Sequence, residues 1–437
     1  MRTKLATCHL LLVYSYQYAI ASPSDSRILF LMPQLIELVE YEQTAVSPQH
    51  LSPELGEWLW QQYDPRLLVE FPSPKTAQQW RLTSQGWVGI IPASPELTLL
   101  LQPKVPLHNL FGMWHVAYHL PSFRLLDGAV QVTSLADFYQ QLARLLAEQV
   151  LQRARQGFYR AYVAQEGKRP FLRGQLLTRQ LMQPSPNPLL TCRYEEQTAD
   201  LPHNQLLAYT LERLVRSGLC AGEVETAVRR AAHTLLPLTT AHPFTPDDCT
   251  RFSYNRLNQD YQRLHALCRF LLAHTGPAHR LGSWQMQPFL VDMARLFELF
   301  VAEWLRTHLP NGWRITAQER LSLGTGEALR FEIDLVLYDP AGRVHAVLDT
   351  KYKAPDKTSN PDFNQVVTYA KAKECREAVL IYPTPLPTPL DVHLGDLHVR
   401  SLTFALDGDL ETAGQQFLAD LLDDISNGTR TNADERG

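Results

Sequence analysis

The chain has 437 residues, of which 45% are hydrophobic and 20% charged, with a formal net charge of −4. That balance specifies folded domains with ample core, argues against a disordered polyelectrolyte, and weighs against a protein that coats nucleic acid unaided. The six cysteines form no CxxC or Cys/His cluster, there is no GxxxxGK[ST], HExxH or GxSxG, and no apolar run spans a membrane, so zinc, P-loop and membrane classes fall away and a reducing, cytoplasmic setting is expected.

Residues 1–31 imitate a secretory signal: Arg2 and Lys4 precede Leu10–Val13, and Ala19-Ile20-Ala21 offers small residues before Ser22. His9, Ser15, Gln17 and three tyrosines dilute that apolar core, so the stretch is read as an extension or a misassigned start. From residue 32 to 133 the pattern is β-rich. Leu67–Phe71, Gly86–Ile91 and Leu97–Gln102 are short apolar runs punctuated by Pro and Gly.

Residues 134–275 read as a helical region. Leu135, Phe138, Leu142, Leu145, Leu146 and Val150 recur at helical spacing behind Ser134 as cap, and Gly157 ends the helix. Arg153, Arg155, Arg160, Lys168, Arg169, Arg173 and Arg179 make this region basic, either a solvated face or a contact for phosphate or an acidic partner. Thr275-Gly276-Pro277 marks a linker, and 276–425 reads as a C-terminal α/β domain with a mixed sheet. Its first helix is expected over Met286–Leu309, with Phe289, Met293, Leu296, Phe297, Phe300 and Trp304 as the apolar stripe and Glu298 at its edge. Ala378–Tyr382 and His398–Phe404 read as strands, 383–389 as a Pro-rich loop, Gly414–Ile425 as a closing helix, and 426–437 as a disordered tail.

The chemistry concentrates between Arg330 and Ala370. Phe331–Tyr338 and Val344–Leu348 are strand-like, and Asp339-Pro340-Ala341-Gly342 supplies the residues of a tight turn, so a hairpin is expected. An even-numbered loop would bring Asp334, Asp349 and Lys351 to one face, whereas a bulge would separate them. Two carboxylates a strand apart repel unless a cation lies between them, and such hard oxygens suit Mg²⁺ or Mn²⁺. Lys351 beside that ion could orient or deprotonate water and offset phosphate charge. Gln365 and Tyr369, four apart on a helix beginning near Pro361, share a face. Between Lys351 and Arg376 six basic residues stand against Asp356, Asp362 and Glu374.

Asp334, then Asp349-x-Lys351, then Gln365-x-x-x-Tyr369, with Glu298 upstream, resembles a PD-(D/E)xK nuclease core of the type carrying a QxxxY helix. Met293-x-x-Leu296-Phe297-Glu298-x-Phe300-Val301 and Leu348-Asp349-Thr350-Lys351-Tyr352-Lys353 are similar, more narrowly, to McrC, the nuclease subunit of McrBC-type modification-dependent restriction systems. The run after Met32, the words Pro103-Lys104-Val105, Asn109-Leu110-Phe111 and Met113, then Leu172-Arg173-Gly174, Cys192-x-Tyr194-Glu195 and Asp200-x-x-x-Asn204, extend the likeness. One departure is Ile333, where the motif usually has proline.

The resemblance implies an α+β multidomain protein whose N-terminal domain docks on a McrB-like AAA+ GTPase and stimulates it. It implies a Mg²⁺-dependent DNA endonuclease of a 5-methylcytosine restriction system. Asp334, Asp349, the Thr350 carbonyl and Glu298 would hold the metal, Lys351 would activate or orient water, and Gln365 and Tyr369 would position lysine and phosphate. A catalytically idle adaptor for the GTPase, or a nuclease of the same core working alone or with a helicase, are the alternatives.

Overall fold

The computed structural model describes residues 34–94, 96–118, 134–177, 189–276, 279–281, 284–286, 288–323, 329–353 and 355–434. The readings of residues 1–31, of Arg179 and of Pro277 lie outside them. Two compact units form: residues 136–288, and residues 34–135 together with 289–437.

In the second unit, Gln34–Val39 (β1), Thr44–Val46 (β2), Pro53–Tyr63 (α1), Leu67–Glu70 (β3), Trp80–Ser84 (β4), Trp87–Ser94 (β5), Leu97–Gln102 (β6) and Leu107–Tyr118 (α2) make up the N-terminal stretch. The β-rich expectation missed both helices. Ser52 caps α1 by accepting from the Leu55 N–H with Pro53 at the first turn, and Gly56, Leu59 and Tyr63 bury one helical face. Two small sheets share a core of Leu38, Leu59, Trp80, Leu82, Ile91 and Leu99.

The other unit opens with Leu135–Gln156 (α3), which continues past its boundary and ends where Gly157 takes φ +89°. Next come Ala161–Arg169 (β7), Gln175–Leu176 (β8) and Leu190–Thr198 (β9), an antiparallel sheet in the middle region expected to be helical. The sheet was missed because the burial of β7 does not alternate cleanly and its sequence, AYVAQEGKR, is mostly polar, while the longer described elements of the region are helices as expected. Arg169 and Arg173 stack on Tyr194 here, so two of the basic residues serve packing. Pro202–Ser217 (α4), Gly222–Leu235 (α5), Tyr261–His274 (α6) and the hairpin His279–Leu281 (β10) with Trp284–Met286 (β11) complete the unit. Asp200 and Asn204 are structural: Asp200 accepts from Gln205 and Thr240, and Asn204 binds the Tyr159 and Ala199 carbonyls and the Tyr261 hydroxyl.

The chain returns to the second unit as Phe289–Asp292 (β12), antiparallel to β5, followed by Met293–His308 (α7). The helix therefore starts seven residues later than expected. Asp292 caps it by accepting from the Arg295 N–H, so Phe289 packs from a strand, not from the helical stripe. Arg314–Leu323 (β13), Leu329–Tyr338 (β14), Val344–Thr350 (β15), Asn360–Ala372 (α8), Glu377–Tyr382 (β16), Asp391–Leu394 (β17), Leu397–Thr403 (β18) and Leu410–Asp434 (α9) follow. The six-stranded sheet is mixed, in order β13-β14-β15-β16-β18-β17, with β15, β16 and β18 parallel. Helix α9 begins before Gly414 and includes most of the segment read as a disordered tail; no proline interrupts its backbone bonding. Five described cysteines are buried free thiols, and no described helix is long and apolar enough to cross a membrane.

Candidate active site

The hairpin closes as expected, but by different arithmetic. Five residues separate Tyr338 from Val344, an odd loop that alone would put the two aspartates on opposite faces. A bulge between Leu337 and Tyr338 leaves His345 as an extra residue and shifts the register, so that Leu335 meets Leu348. Continuing one step sets Asp334 across from Asp349. The bulge, expected to separate the carboxylates, is what brings them to one face. That face is the one under α8, since Val336 and Val347 belong to the core cluster with Val366 and Tyr369 of that helix.

Each predicted residue comes to this place. Asp334 accepts from the Thr350 N–H and hydroxyl at 2.9 and 3.1 Å. Asp349 is fully buried, and Lys351 Nζ lies 2.7 Å from its Oδ2. Lys351 also donates to Gln365 Oε1 at 3.0 Å, and Gln365 Nε2 donates to the Tyr369 hydroxyl at 2.8 Å. The four-residue spacing of Gln365 and Tyr369 thus becomes a relay that fixes the ammonium from α8. Glu298, on α7, is held by both oxygens against the Arg295 guanidinium at 2.9 and 3.0 Å and senses the charge of Asp334. Ile333 is buried within the core cluster, so the loss of proline leaves strand entry intact.

Burial is the largest influence on the carboxylates of the site. Burial, reinforced by Asp334 and only partly offset by Lys351, pushes Asp349 up to about 7. Burial also raises Glu298, against the pull of Arg295. Burial presses Lys351 downward, but Asp349, Asp334 and Asp362 outweigh it and hold the ammonium above its ordinary range. Asp349 Oδ1 is buried with no hydrogen-bond partner. An orphaned buried carboxylate oxygen opposite a second carboxylate is a donor set that fits a divalent cation.

Sequence reasoning missed three contributors. Asp362 accepts from Lys353 at 2.5 Å and from Ser359 at 2.6 Å, and lies 3.9 Å from Lys351. Burial would raise it, yet those two donors hold it below the usual carboxylate range. Its signal was available: Ser359-x-x-Asp362 at a helix start is a capping pattern three residues before Gln365. Glu40 and Tyr41, just beyond β1, had no such signal. Glu40 accepts from the Tyr352 hydroxyl at 3.1 Å and Tyr41 donates to the Tyr352 carbonyl at 3.3 Å, so the residue after Lys351 is tethered by groups more than 300 positions away. Burial pushes Glu40 up to about 7. A separate Asp391, His393 and His398 cluster sits on the β17–β18 edge hairpin, where His398 already binds Asp391 at 2.8 Å.

A chain of the structure described as a refined half-complex from a tetradecameric assembly of Thermococcus gammatolerans McrB AAA+ hexamers with bound McrC aligns with a TM-score of 0.55 at 18% identity, covering 89% of this chain and 100% of that one, and so shares its fold. A chain of the cryo-EM structure of the Thermococcus gammatolerans McrBC complex aligns over 64% of this chain and 89% of its own, at 19% identity and a TM-score of 0.41. No curated protein matches. Residues 82–383 match the family described as McrBC 5-methylcytosine restriction system component, and the chain belongs to that family.

Proposed function

We propose that this protein is the metal-dependent DNA endonuclease subunit of its restriction system, a McrC-type PD-(D/E)xK nuclease. The observation that carries the reading is the buried, unpartnered Oδ1 of Asp349 opposite Asp334, with Lys351 fixed between Asp349 and Gln365. Asp334 and Asp349 would hold Mg²⁺ or Mn²⁺, with the Thr350 carbonyl and, through water, Glu298. The ion, when bound, would polarise the phosphate and lower the pKa of an attacking water.

This chain's own groups do the rest. Lys351, kept charged by its three carboxylate neighbours, serves as a cationic donor that orients water and offsets phosphate charge, not as a base. Gln365 and Tyr369 hold it in line, and Arg295 keeps Glu298 from turning away. By analogy with the assembly of its structural neighbour, the partner is a McrB-like AAA+ GTPase, acting with this chain in the cytoplasm.

The test is plasmid cleavage in Mg²⁺ by the purified protein with its AAA+ partner. Lys351→Ala and Asp349→Ala are expected to lower the rate by about 100-fold or more, in line with the loss of a positioned catalytic group. Stimulation of the partner's GTPase should persist in both. Cleavage at the wild-type rate by either variant would remove the assignment, and GTPase stimulation without cleavage by the wild type would favour the adaptor.

A further inference from the structure

The unit formed by residues 136–288 carries a polar groove of about 670 Å³ between the end of α3 and the approach to α6. Its α3 wall is Gln149, Gln152, Arg153 and Gln156, the i, i+3, i+4 and i+7 positions of one helical face. The facing wall is Arg256, Gln259, Gln262 and Arg263, joined by one carboxylate, Asp260. Asp260 pairs with Arg153 at 3.4 Å, and Arg153 further lies over the Tyr261 ring and donates to the Leu257 carbonyl. Among the described residues, neither Arg256 nor Arg263 has an acidic partner and the five glutamine side chains make no hydrogen bond.

An ordinary solvated helix face mixes acids with bases, which pair at i, i+4 as Arg144 and Glu148 do one turn earlier on α3. In this groove guanidinium and amide groups accumulate almost without acid. Those two groups are the ones that meet phosphate oxygens and the edges of bases, Arg towards guanine and Gln towards adenine. The chain's net charge of −4 makes such a local concentration necessary for any grip on a polyanion.

We propose that this groove binds duplex DNA, with Arg256 and Arg263 on the phosphodiester backbone and the glutamines towards the bases. The inference rests on the reading of the chain as a DNA-cleaving subunit, and supplies a substrate grip apart from the cleavage residues. It absorbs Arg153 from the basic segment noted in the sequence as an internal brace, since Arg153 ties the two walls together.

The test is fluorescence anisotropy of the full-length chain with a labelled 30-base-pair duplex in EDTA, so that binding is read without cleavage. Arg256→Gln with Arg263→Gln should weaken binding about tenfold and reduce the salt slope of log K by about one per arginine. An independent pair, Gln152→Glu with Gln259→Glu, keeps side-chain shape and should weaken binding similarly. All four positions are solvent-exposed, so melting temperatures should stay at the wild-type value. Unchanged affinity in both pairs, absence of binding by the wild type, or weakening seen only for polyglutamate in place of DNA would overturn the proposal. Its failure is distinct from failure of the nuclease reading, which is scored by Mg²⁺-dependent cleavage alone.

Discussion

Asp349 is the residue on which the proposed chemistry turns, and its burial has a thermodynamic consequence. A carboxylate whose pKa rises from the ordinary 3.8 to about 7 on folding binds a proton more tightly in the folded state. Its contribution to stability is therefore full below about pH 4 and is lost as pH rises through about 7, with Glu40 adding in the same direction. Metal-free protein should melt at progressively lower temperature between pH 5 and pH 8. Asp349→Asn should flatten part of that fall, and calorimetry in EDTA across this range would show it. A stability that rises with pH over the same window, or a fall that Asp349→Asn leaves untouched, would contradict the assigned burial. The residue identities were legible in the sequence because Asp349-x-Lys351 spans three consecutive residues at the end of β15 and Gln365-x-x-x-Tyr369 lies within α8. Glu40 and Tyr41 were not, because only the fold brings them to Tyr352.

At the scale of elements, sequence periodicity gave α3, the strands β5, β6 and β16, and the hairpin of β14 and β15. It misjudged register and boundaries. The convergence of Asp334 with Asp349 depends on one bulged residue, His345, which pairs with Glu377 at 3.4 Å and packs edge-on against Trp313. Nothing in a linear reading weighs such a bulge. The start of α7 was misplaced because Phe289 to Val291 continues the apolar pattern, while the pairing of β12 with β5 depends on residues 200 positions away. Gly89 makes that pairing possible: it adopts φ +145°, and a Cβ there would stand 1.9 Å from the Phe289 carbonyl oxygen. Gly89→Ala should therefore dislodge β12 and destabilise the protein by about 2 kcal/mol or more, measurable by chemical denaturation. Wild-type stability in that variant would mean that β12 does not lie against β5 as described.

For the molecule as a whole, composition excluded classes but did not reveal that one compact unit is interrupted by another. The N-terminal strands share a unit with the six-stranded sheet, and Glu40 and Tyr41 anchor the residue that follows Lys351. The N-terminal stretch, associated with partner docking by family likeness, is thereby in physical contact with the strand end that bears the proposed cleavage residues. The proposed division of labour sets grip in the unit of residues 136–288, where the arginine- and glutamine-lined groove lies, and cleavage in the other. The most direct test of the account is a crystal of the full chain soaked in Mn²⁺ and measured for anomalous scattering. The account predicts a peak about 2.2 Å from carboxylate oxygens of both Asp334 and Asp349. An empty map there, or a peak found only at the Asp391, His393 and His398 cluster on the opposite edge hairpin, would contradict it.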